Sequence, residues 1–346
     1  MIMELLALVD YQGRFGSKSF DDPYRSGMDK SLLRKLFLEK NIILNFVQMS
    51  DPEVFRKGKG SYVIYTSQED CRYRYKSFIE DVVLGLELIG ARTIPAYRYL
   101  RANNNKVFME MLRSLMLPKD YQLGSEWFGT AEEALNRAKI RELPFVVKSA
   151  AGCGSKGVRL VTKEQEIMQV LHKTSKSQCI RRELWDIARA IRHKGYIRES
   201  RFREKYIIQN FVPRLQNDWK VLVYGDKYYV LRRNNRPRDF RASGSGLFSF
   251  DENVNELILE NAERIKNFFG VPIISLDLAI AEDQVIVIEF QFIYFGTSTL
   301  EKSPHCYIKH NGTWMKLTEK PCLEREYVNS VSDFIERSQN ESSIYL

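Results

Sequence analysis

Three oxygen-bearing side chains near the C-terminal end of the chain have the types and spacing of a metal site. They are Asp277, Glu289 and Gln291, in the stretch 273–294 with the sequence IISLDLAIAEDQVIVIEFQFIY. The polar pair at 282–283 divides this stretch into two predicted strands of a hairpin. Because side chains alternate between the faces of a strand, Glu289 and Gln291 share one face, and Asp277 on the partner strand can point to the same side.

Carboxylates among Ile, Leu, Val and Phe are costly to bury unless a cation compensates them. Carboxylate and amide oxygens are ligands that Mg²⁺ prefers, and protein-bound Mg²⁺ commonly also contacts nucleotide phosphates. The hairpin therefore predicts a magnesium site. The alternative is a half-exposed hairpin whose acids are solvated.

A glycine-rich loop at 152–157, with the sequence GCGSKG, joins two predicted strands. Its glycines allow backbone N–H groups to close on phosphate oxygens without obstruction by a Cβ atom. The candidate contacts are Gly152, Gly154, Ser155 and Gly157. The spacing matches neither a Walker loop nor a dinucleotide-binding fingerprint, and a glycine turn without a ligand is the alternative.

Several cations on separate elements could also face phosphates. Lys148 ends the apolar run FVVK at a position predicted to face inward, where an unpaired ammonium group is costly. Lys106 and Arg233 lie on other predicted elements, and Arg241 falls in the flexible run 239–246 together with Ser243. Taken singly, each cation could instead form a surface salt bridge.

The size and composition of the chain limit the class of protein to which it can belong. The 346 residues are 44% hydrophobic and 12% aromatic, so they can bury a large core in two or three lobes. No run is apolar enough to span a membrane, and the opening residues lack the pattern of a signal peptide. Five scattered cysteines, never at CxxC spacing, indicate neither a zinc site nor a disulfide framework. We therefore expect a cytoplasmic globular protein.

The order of predicted elements indicates an α/β protein built of lobes. Strands and helices alternate over 1–100, which is typical of a small doubly wound α/β domain. A second lobe, 101–206, contains the glycine loop between two strands. A third, 207–300, contains three more strands, a helix and the hairpin, and 301–346 is a tail that ends in a helix.

The formal charge of +9 is concentrated in residues 172–205, an insertion in the second lobe. That segment holds eleven Lys or Arg against four Asp or Glu, which gives +7. With Trp185, Tyr196 and Phe202 it offers charge and stacking surface to an anionic polymer. We rank an anionic polysaccharide or its uronic-acid precursor first, an acidic peptide second and nucleic acid, which has no binding signature here, third. The alternative is a solvated helical face.

In this order and spacing, the residues resemble the ATP-grasp superfamily, most closely its glutamate ligases that modify ribosomal protein and related carboxylate-amine ligases. The resemblance extends from about Arg101 to Ser298, with 1–100 fitting the family's pre-ATP-grasp domain. It implies an ATP-grasp fold in which two α+β lobes clasp a nucleotide, with ATP and Mg²⁺ (or Mn²⁺) as cofactors. The tail is not covered.

Within the second lobe, the resemblance implies a strand, glycine loop and strand that act as a lid, with Lys148 as the nucleotide lysine. The segment YIIQNFV is similar to the hinge that reads adenine through backbone contacts. Its candidate residues are Gln209, Asn210 and Phe211.

Within the third lobe, NDWKVLVYGDKYYVLRR is similar to a family strand in which Asp218 contacts ribose. Arg233 and Arg241 match the arginines that embrace the terminal phosphates. The twelve-residue gap from Asp277 to Glu289, with the third ligand two residues further on, matches the metal motif.

Two positions depart from the family pattern. Gln291 stands where Asn is usual, which keeps an oxygen ligand but changes its reach. Lys220 stands where Arg is usual, which keeps the charge but loses bidentate geometry. These departures keep open a protein that binds nucleotide with slow or no turnover.

The reaction that the resemblance implies has two steps and forms ADP. A carboxylate attacks the γ-phosphate of ATP to give an acylphosphate, and an amine then displaces phosphate to form an amide. Charge neutralisation and positioning, which the residues above can supply, are what phosphoryl transfer requires. The alternatives are the catalytically weak nucleotide-binding protein and a phosphotransferase that acts on a hydroxyl.

Overall fold

The computed structural model describes residues 2–18, 26–70, 73–152, 157–177, 180–236 and 246–344. The chain forms two compact units. The first combines Met1–Asn103 with Arg214–Leu346, and the second is the single segment Asn104–Pro213. No described helix has both the length and the apolar composition to cross a membrane.

The first unit begins with a parallel sheet covered by helices on both faces. Its elements are β1 (Met3–Val9), α1 (Lys30–Glu39), β2 (Ile42–Gln48), α2 (Val54–Gly58), β3 (Tyr62–Tyr65), α3 (Arg74–Leu88), β4 (Arg92–Ile94) and α4 (Tyr97–Ala102). The strand order is β2-β1-β3-β4, with every pair parallel. Leu5 and Ala7 pack with α1 on one face, and Leu6 and Leu8 pack with α3 on the other. The predicted doubly wound domain is thereby confirmed.

The second unit contains a four-stranded antiparallel sheet. Its elements are α5 (Lys106–Met116), β5 (Glu126–Phe128), α6 (Ala131–Lys139), β6 (Phe145–Ser149), β7 (Val158–Val161), α7 (Ile167–Ser175), α8 (Ile180–Arg192) and β8 (Tyr206–Asn210). The order is β5-β8-β6-β7. One face of the sheet builds the core of this unit with α6 and α7, through residues such as Phe145, Val147 and Ile208.

The rest of the first unit is a large antiparallel sheet with flanking helices. Its elements are β9 (Asn217–Tyr224), β10 (Lys227–Asn234), β11 (Phe248–Ser249), α9 (Glu256–Phe269), β12 (Ile273–Ala281), β13 (Gln284–Gln291), α10 (Ser298–Glu301), β14 (Cys306–His310), β15 (Thr313–Leu317) and α11 (Leu323–Ile344). The order is β13-β12-β9-β10-β14-β15, and β11 pairs with β10. Leu323, Val328 and Val331 of α11 join the same apolar cluster as α1 and β1.

The β12–β13 hairpin forms as the sequence predicts, with its turn at Glu282 and Asp283. Both turn residues have left-handed backbones, with φ of 49° and 62°, which is the conformation that a tight two-residue hairpin turn requires. Behind the hairpin, Phe290 and Phe292 are buried. Phe292 packs edge to face with both Phe269 and Phe290, and Phe290 lies tilted against Phe269. A shift of register by one residue would turn these rings to the opposite face, so their burial fixes which face the polar residues occupy.

The predicted tail, 301–346, contains more structure than the single helix expected there. Strands β14 and β15 extend the large sheet, and the turn between them is Asn311–Gly312, with φ of 49° and 81°. Asn-Gly is the strongest short-range signal for such a turn, so this hairpin was readable from the sequence. The division of the chain at 100, 206 and 300 remains a prediction.

Candidate active site

Four strands of the large sheet place charged side chains in one row. Arg233 on β10 lies opposite Asp218 on β9, Lys220 on β9 lies opposite Asp277 on β12, and Asp277 lies opposite Glu289 on β13. Residues that face each other across antiparallel strands point to the same side of the sheet. The row therefore joins residues from four strands on one face.

Arg233 bridges the two aspartates of the row. Its Nε and Nη2 donate to Oδ1 and Oδ2 of Asp218 at 2.5 and 2.9 Å, and Nη2 lies 2.8 Å from Oδ2 of Asp277. The three side chains are 13%, 5% and 14% exposed, respectively. A carboxylate held this way is strongly oriented, because a planar guanidinium fixes both of its oxygens.

One oxygen of Asp277 is held less completely. Lys220 Nζ donates to Ser275 Oγ at 3.0 Å and lies 3.6 Å from Asp277 Oδ1. That distance makes an ion pair without a hydrogen bond, and Oδ1 is buried with no hydrogen-bond partner among the described residues. A buried acceptor without a partner is uncommon.

The charges in the row set the protonation of both aspartates. Burial alone would raise the pKa of Asp277, but Arg233 and Lys220 lower it below its usual value. Burial and the nearby charge of Asp277 raise the pKa of Asp218 to about 6, against the opposing effect of Arg233. Both carboxyl groups are therefore mainly ionised at neutral pH.

The predicted metal ligands fit a hard cation by their chemistry. Asp277 and Glu289 face each other across β12 and β13, and Gln291 faces Ser275 on the same side of the sheet. Opposed like charges in a sheet are destabilising unless a cation lies near them. Within the described ranges no group of three or more His, Cys, Asp or Glu residues could hold a metal, so this set depends on the amide of Gln291 and on water, which Mg²⁺ often retains. The metal role remains a prediction.

Farther along the same strands lies an apolar pocket within the first unit, whose empty volume, counted with the open solvent at its mouth, is about 620 Å³. Tyr224 and Ile273 line it, each four residues along its strand from Lys220 or Asp277, and Phe292, directly after Gln291, lines it as well. At a strand rise of about 3.3 Å per residue, four residues correspond to about 13 Å.

The pocket also receives the end of β3. Ser67, two residues beyond that strand, lines the pocket, is fully buried and has a hydroxyl without a hydrogen-bond partner among the described residues. Ligands commonly bind at the carboxyl ends of parallel strands. The polar residues Thr66 and Ser67 directly after the apolar strand YVIY were therefore a sequence signal for this pocket, one that the sequence analysis missed.

In the second unit, Lys106 and the glycine loop are in contact. Lys106 is buried, and its Nζ donates to the Gly152 carbonyl at 3.0 Å. The Gly152 N–H donates to Asn104 Oδ1 at 2.8 Å, and its φ of 117° favours glycine. Gly154 and Ser155 lie outside the described residues. Gly157 is required for close approach, since a Cβ there would lie 2.8 Å from Ser149 Oγ.

Lys148 lies on the sheet face opposite the core of the second unit and is half-buried, not buried as the sequence suggested. The reason is its alternation with Val147, which faces the core. On the adjacent strand, Gln209 Nε2 donates to Ser125 Oγ at 2.8 Å.

Asn210, a predicted adenine contact, has two hydrogen-bond partners within the second unit. Its N–H donates to the Leu123 carbonyl at 3.1 Å, and its Oδ1 accepts from Arg141 Nη2 at 2.5 Å. Phe211 follows β8 and is half-buried. Arg241 and Ser243 lie outside the described residues. The nucleotide roles of all these residues remain predictions.

Comparison with known proteins gives a family match over part of the chain and a likeness of fold. Residues 119–182 match the family described as carbamoyl-phosphate synthase L chain, ATP binding domain. No curated protein matches the chain in sequence. A D-cycloserine synthetase structure is similar over 95% of this chain and 99% of its own, with a TM-score of 0.54 and 12% identity.

Two further structures are similar over almost their whole length. D-alanine–D-alanine ligase from Bacillus anthracis, complexed with ATP, has a TM-score of 0.52 and 10% identity and covers 99% of both chains. A RiPP-associated ATP-grasp ligase from Chryseobacterium gregarium, in complex with ADP and a leader and core peptide, has a TM-score of 0.52 and 11% identity and covers 96% of this chain and 97% of its own. At such identities the likeness concerns the fold alone.

Proposed function

The chain has the ATP-grasp fold, and from this premise we propose that it is an ATP-dependent, ADP-forming carboxylate-amine ligase. A carboxylate oxygen of one substrate attacks the γ-phosphorus of ATP, the bond to the β,γ-bridging oxygen breaks, and an acylphosphate and ADP form. The amine of a second substrate then attacks the acyl carbon, loses a proton and expels phosphate, which leaves an amide.

The observation that carries this proposal is the charged row of Asp218, Lys220, Arg233, Asp277 and Glu289. Phosphoryl transfer depends on positioning and charge neutralisation more than on a covalent catalyst. Two aspartates already orient Arg233, so its side chain loses little further conformational entropy when the guanidinium contacts a phosphate. The row therefore combines a fixed cation with oxygen ligands on one sheet face.

In this scheme Asp277, Glu289 and Gln291 would hold Mg²⁺, which supplies charge neutralisation to the phosphates when bound. Arg233 contacts Asp277 directly, and Arg233 and Lys220 together lower the pKa of its carboxyl group. Lys106, Lys148 and the glycine loop of the second unit would bind the nucleotide phosphates. Gln209, Asn210 and Phe211 would contact the adenine.

The apolar pocket supports a substrate with an apolar portion. Its lining is mainly aromatic and aliphatic, and the buried Ser67 hydroxyl offers a hydrogen bond to a ligand. The acidic acceptor that the basic segment suggested remains part of the proposal. Within that segment, four arginines pair with its acids, namely Arg182, Arg198, Arg201 and Arg203.

Two alternatives share the same residues. A catalytically weak nucleotide-binding protein is favoured by Lys220 and Gln291, and a phosphotransferase would deliver the same phosphoryl group to a hydroxyl. The reaction products distinguish these alternatives from the ligase. Only the ligase forms an acylphosphate, which hydroxylamine converts to a hydroxamate.

The test measures ADP release with a library of carboxylates in the presence of Mg²⁺, ATP and hydroxylamine. The proposal predicts hydroxamate formation by the wild type and its loss in Asp277→Ala and Glu289→Ala, with the fold retained. Gln284→Ala, an exposed residue on the same strand as Glu289, is the matched control and should keep the wild-type rate. Phosphoester products without hydroxamate would support the phosphotransferase, and wild-type rates in both alanine variants would refute the metal assignment.

A further inference from the structure

Helix α8 is turned so that its apolar side faces solvent. Ile180, Leu184, Ala188 and Ile191 recur at spacings of four, four and three residues, which places them on one stripe of the helix. Ile180 is 78% exposed, Leu184 62% and Ile191 82%. A surface helix of a globular protein normally buries such a stripe against its core.

The acidic side of α8 is the side that contacts the protein. Asp186 is the one residue of this helix that is buried, and it accepts a hydrogen bond from Tyr196 Oη at 2.6 Å. It also pairs with Arg198 at 3.5 Å, and Glu183 pairs with Arg201 at 3.5 Å. Polar contacts to residues 196–201 thus fix the orientation of α8 and leave its apolar stripe exposed to solvent.

Cations and a tryptophan border the stripe. At 100° per residue, Arg181 and Arg192 lie next to the stripe, with Trp185 and Arg189 beyond them. Trp185 is 61% exposed. Arg181, Arg189 and Arg192 have no acidic partner among the described residues, in contrast to the four paired arginines of the same segment. Ile197, 88% exposed, adds an apolar side chain just after the helix.

We propose that α8 is an interfacial helix that docks this protein on an anionic phospholipid surface. A strongly amphipathic helix with Leu and Ile on one side, and arginines and a tryptophan along the border of that side, lies in the plane of a membrane interface. The arginines meet lipid phosphates, Trp185 lies at the headgroup level and the stripe enters the acyl boundary. Such an association is peripheral, because the helix lies along the surface and does not cross the bilayer.

The arginines and the exposed apolar stripe of α8 together favour an anionic phospholipid surface over an anionic polysaccharide as its partner. A polysaccharide would neutralise the arginines and leave Ile180, Leu184 and Ile191 in water. An anionic bilayer satisfies both parts of the surface at once. This inference does not depend on the proposed ligase activity, and the stripe residues distinguish it from acceptor recruitment by the arginines.

The experiment measures the fraction of full-length protein that sediments with vesicles of phosphatidylcholine, with and without phosphatidylglycerol. Wild type is expected to bind the anionic vesicles and to be released by salt. Leu184→Glu with Ile191→Glu should lower the partition coefficient about tenfold or more, because each buried methylene contributes to binding. Arg189→Glu with Arg192→Glu should lower it at least about fivefold for each arginine.

Ile140→Glu is the matched control. Ile140 is 87% exposed in the same unit, at the end of α6, and its substitution should leave partition unchanged. Leu184→Ser with Ile191→Ser removes the stripe without adding charge, so it must also lower partition if the apolar contact matters. Circular dichroism and melting temperature verify that each variant is folded.

Three results would overturn the proposal: wild type that does not sediment with anionic vesicles, a serine double variant that partitions like wild type, or an equal loss in Ile140→Glu. Concentration-dependent self-association that the serine double variant abolishes, without vesicle binding by wild type, would assign the stripe to a second copy of the chain instead. A blue shift of tryptophan emission on vesicle binding that persists in Trp185→Phe would also contradict the geometry.

Discussion

Replacing Arg233 with methionine tests the charged row most directly. Methionine has a similar length and no charge, so Asp218 and Asp277 would lose three contacts of 2.9 Å or less. Both carboxyl groups are buried or nearly so, at 5% and 14% exposed. Removing one partner of a buried ion pair costs about 3–5 kcal/mol, because it leaves an uncompensated charge.

That loss should lower the melting temperature by about 6–20 °C, at about 2–4 °C per kcal/mol for a unit of this size. The measurement is chemical and thermal unfolding followed by circular dichroism. Arg232→Met is the matched control on the same strand. Arg232 is 39% exposed and lies 3.4 Å from Asp251, so its loss should cost no more than about 1 kcal/mol.

Adding Mg²⁺ makes the test specific for the metal assignment. Without Arg233, the carboxylates of Asp277 and Glu289 attract a cation more strongly, and binding to the folded state alone raises stability. Mg²⁺ should therefore raise the melting temperature of Arg233→Met more than that of wild type. Equal costs for Arg233→Met and Arg232→Met would refute the argument from burial, and no response to Mg²⁺ in either protein would refute the metal site.

Three further predictions follow from particular side chains. Restoring the family pattern with Gln291→Asn and Lys220→Arg should raise ADP release if wild type is catalytically weak, and a high wild-type rate would eliminate that alternative. Burial lowers the pKa of His305 below 6.5; the unfolded chain then binds the proton more readily, so stability is lost as pH falls through 6.5, and His305→Gln should flatten that part of a denaturation-midpoint profile. If the basic segment binds an acidic acceptor, charge reversal there should raise the KM for that acceptor and leave ATP affinity unchanged, whereas unchanged acceptor kinetics would exclude acceptor recruitment and leave membrane docking or a solvated face. The arginines to reverse are Arg181, Arg182, Arg189 and Arg192.

Local patterns predicted the parts of the fold that depend on neighbouring residues. The hairpin at 273–291 followed from two apolar runs around Glu282 and Asp283, and the N-terminal domain followed from alternating strands and helices. The helix at 256–269 ends at Gly270, whose left-handed φ of 59° caps it. Each of these signals lies within a few residues of the structure it specifies.

Contacts between distant segments could not be read in the same way. Spacing along the chain placed Asp277 and Glu289 in one site, but it did not indicate that Arg233 would bridge Asp277 and Asp218. That contact depends on the order β12-β9-β10 in the sheet, which no local pattern specifies. The orientation of α8 was likewise hidden, because it depends on Asp186 meeting Tyr196 and Arg198 in place of the usual burial of the apolar stripe.

The discontinuous first unit has a consequence for synthesis on the ribosome. The sheet of β1 to β4 is translated early, but α11, which shares its apolar cluster with α1, emerges after every other element described for this unit. The segment 104–213 is complete in sequence well before that and can fold as it appears. Until residues 323–344 arrive, part of the N-terminal apolar surface stays uncovered, so a nascent chain stalled before α11 would be a client for chaperones.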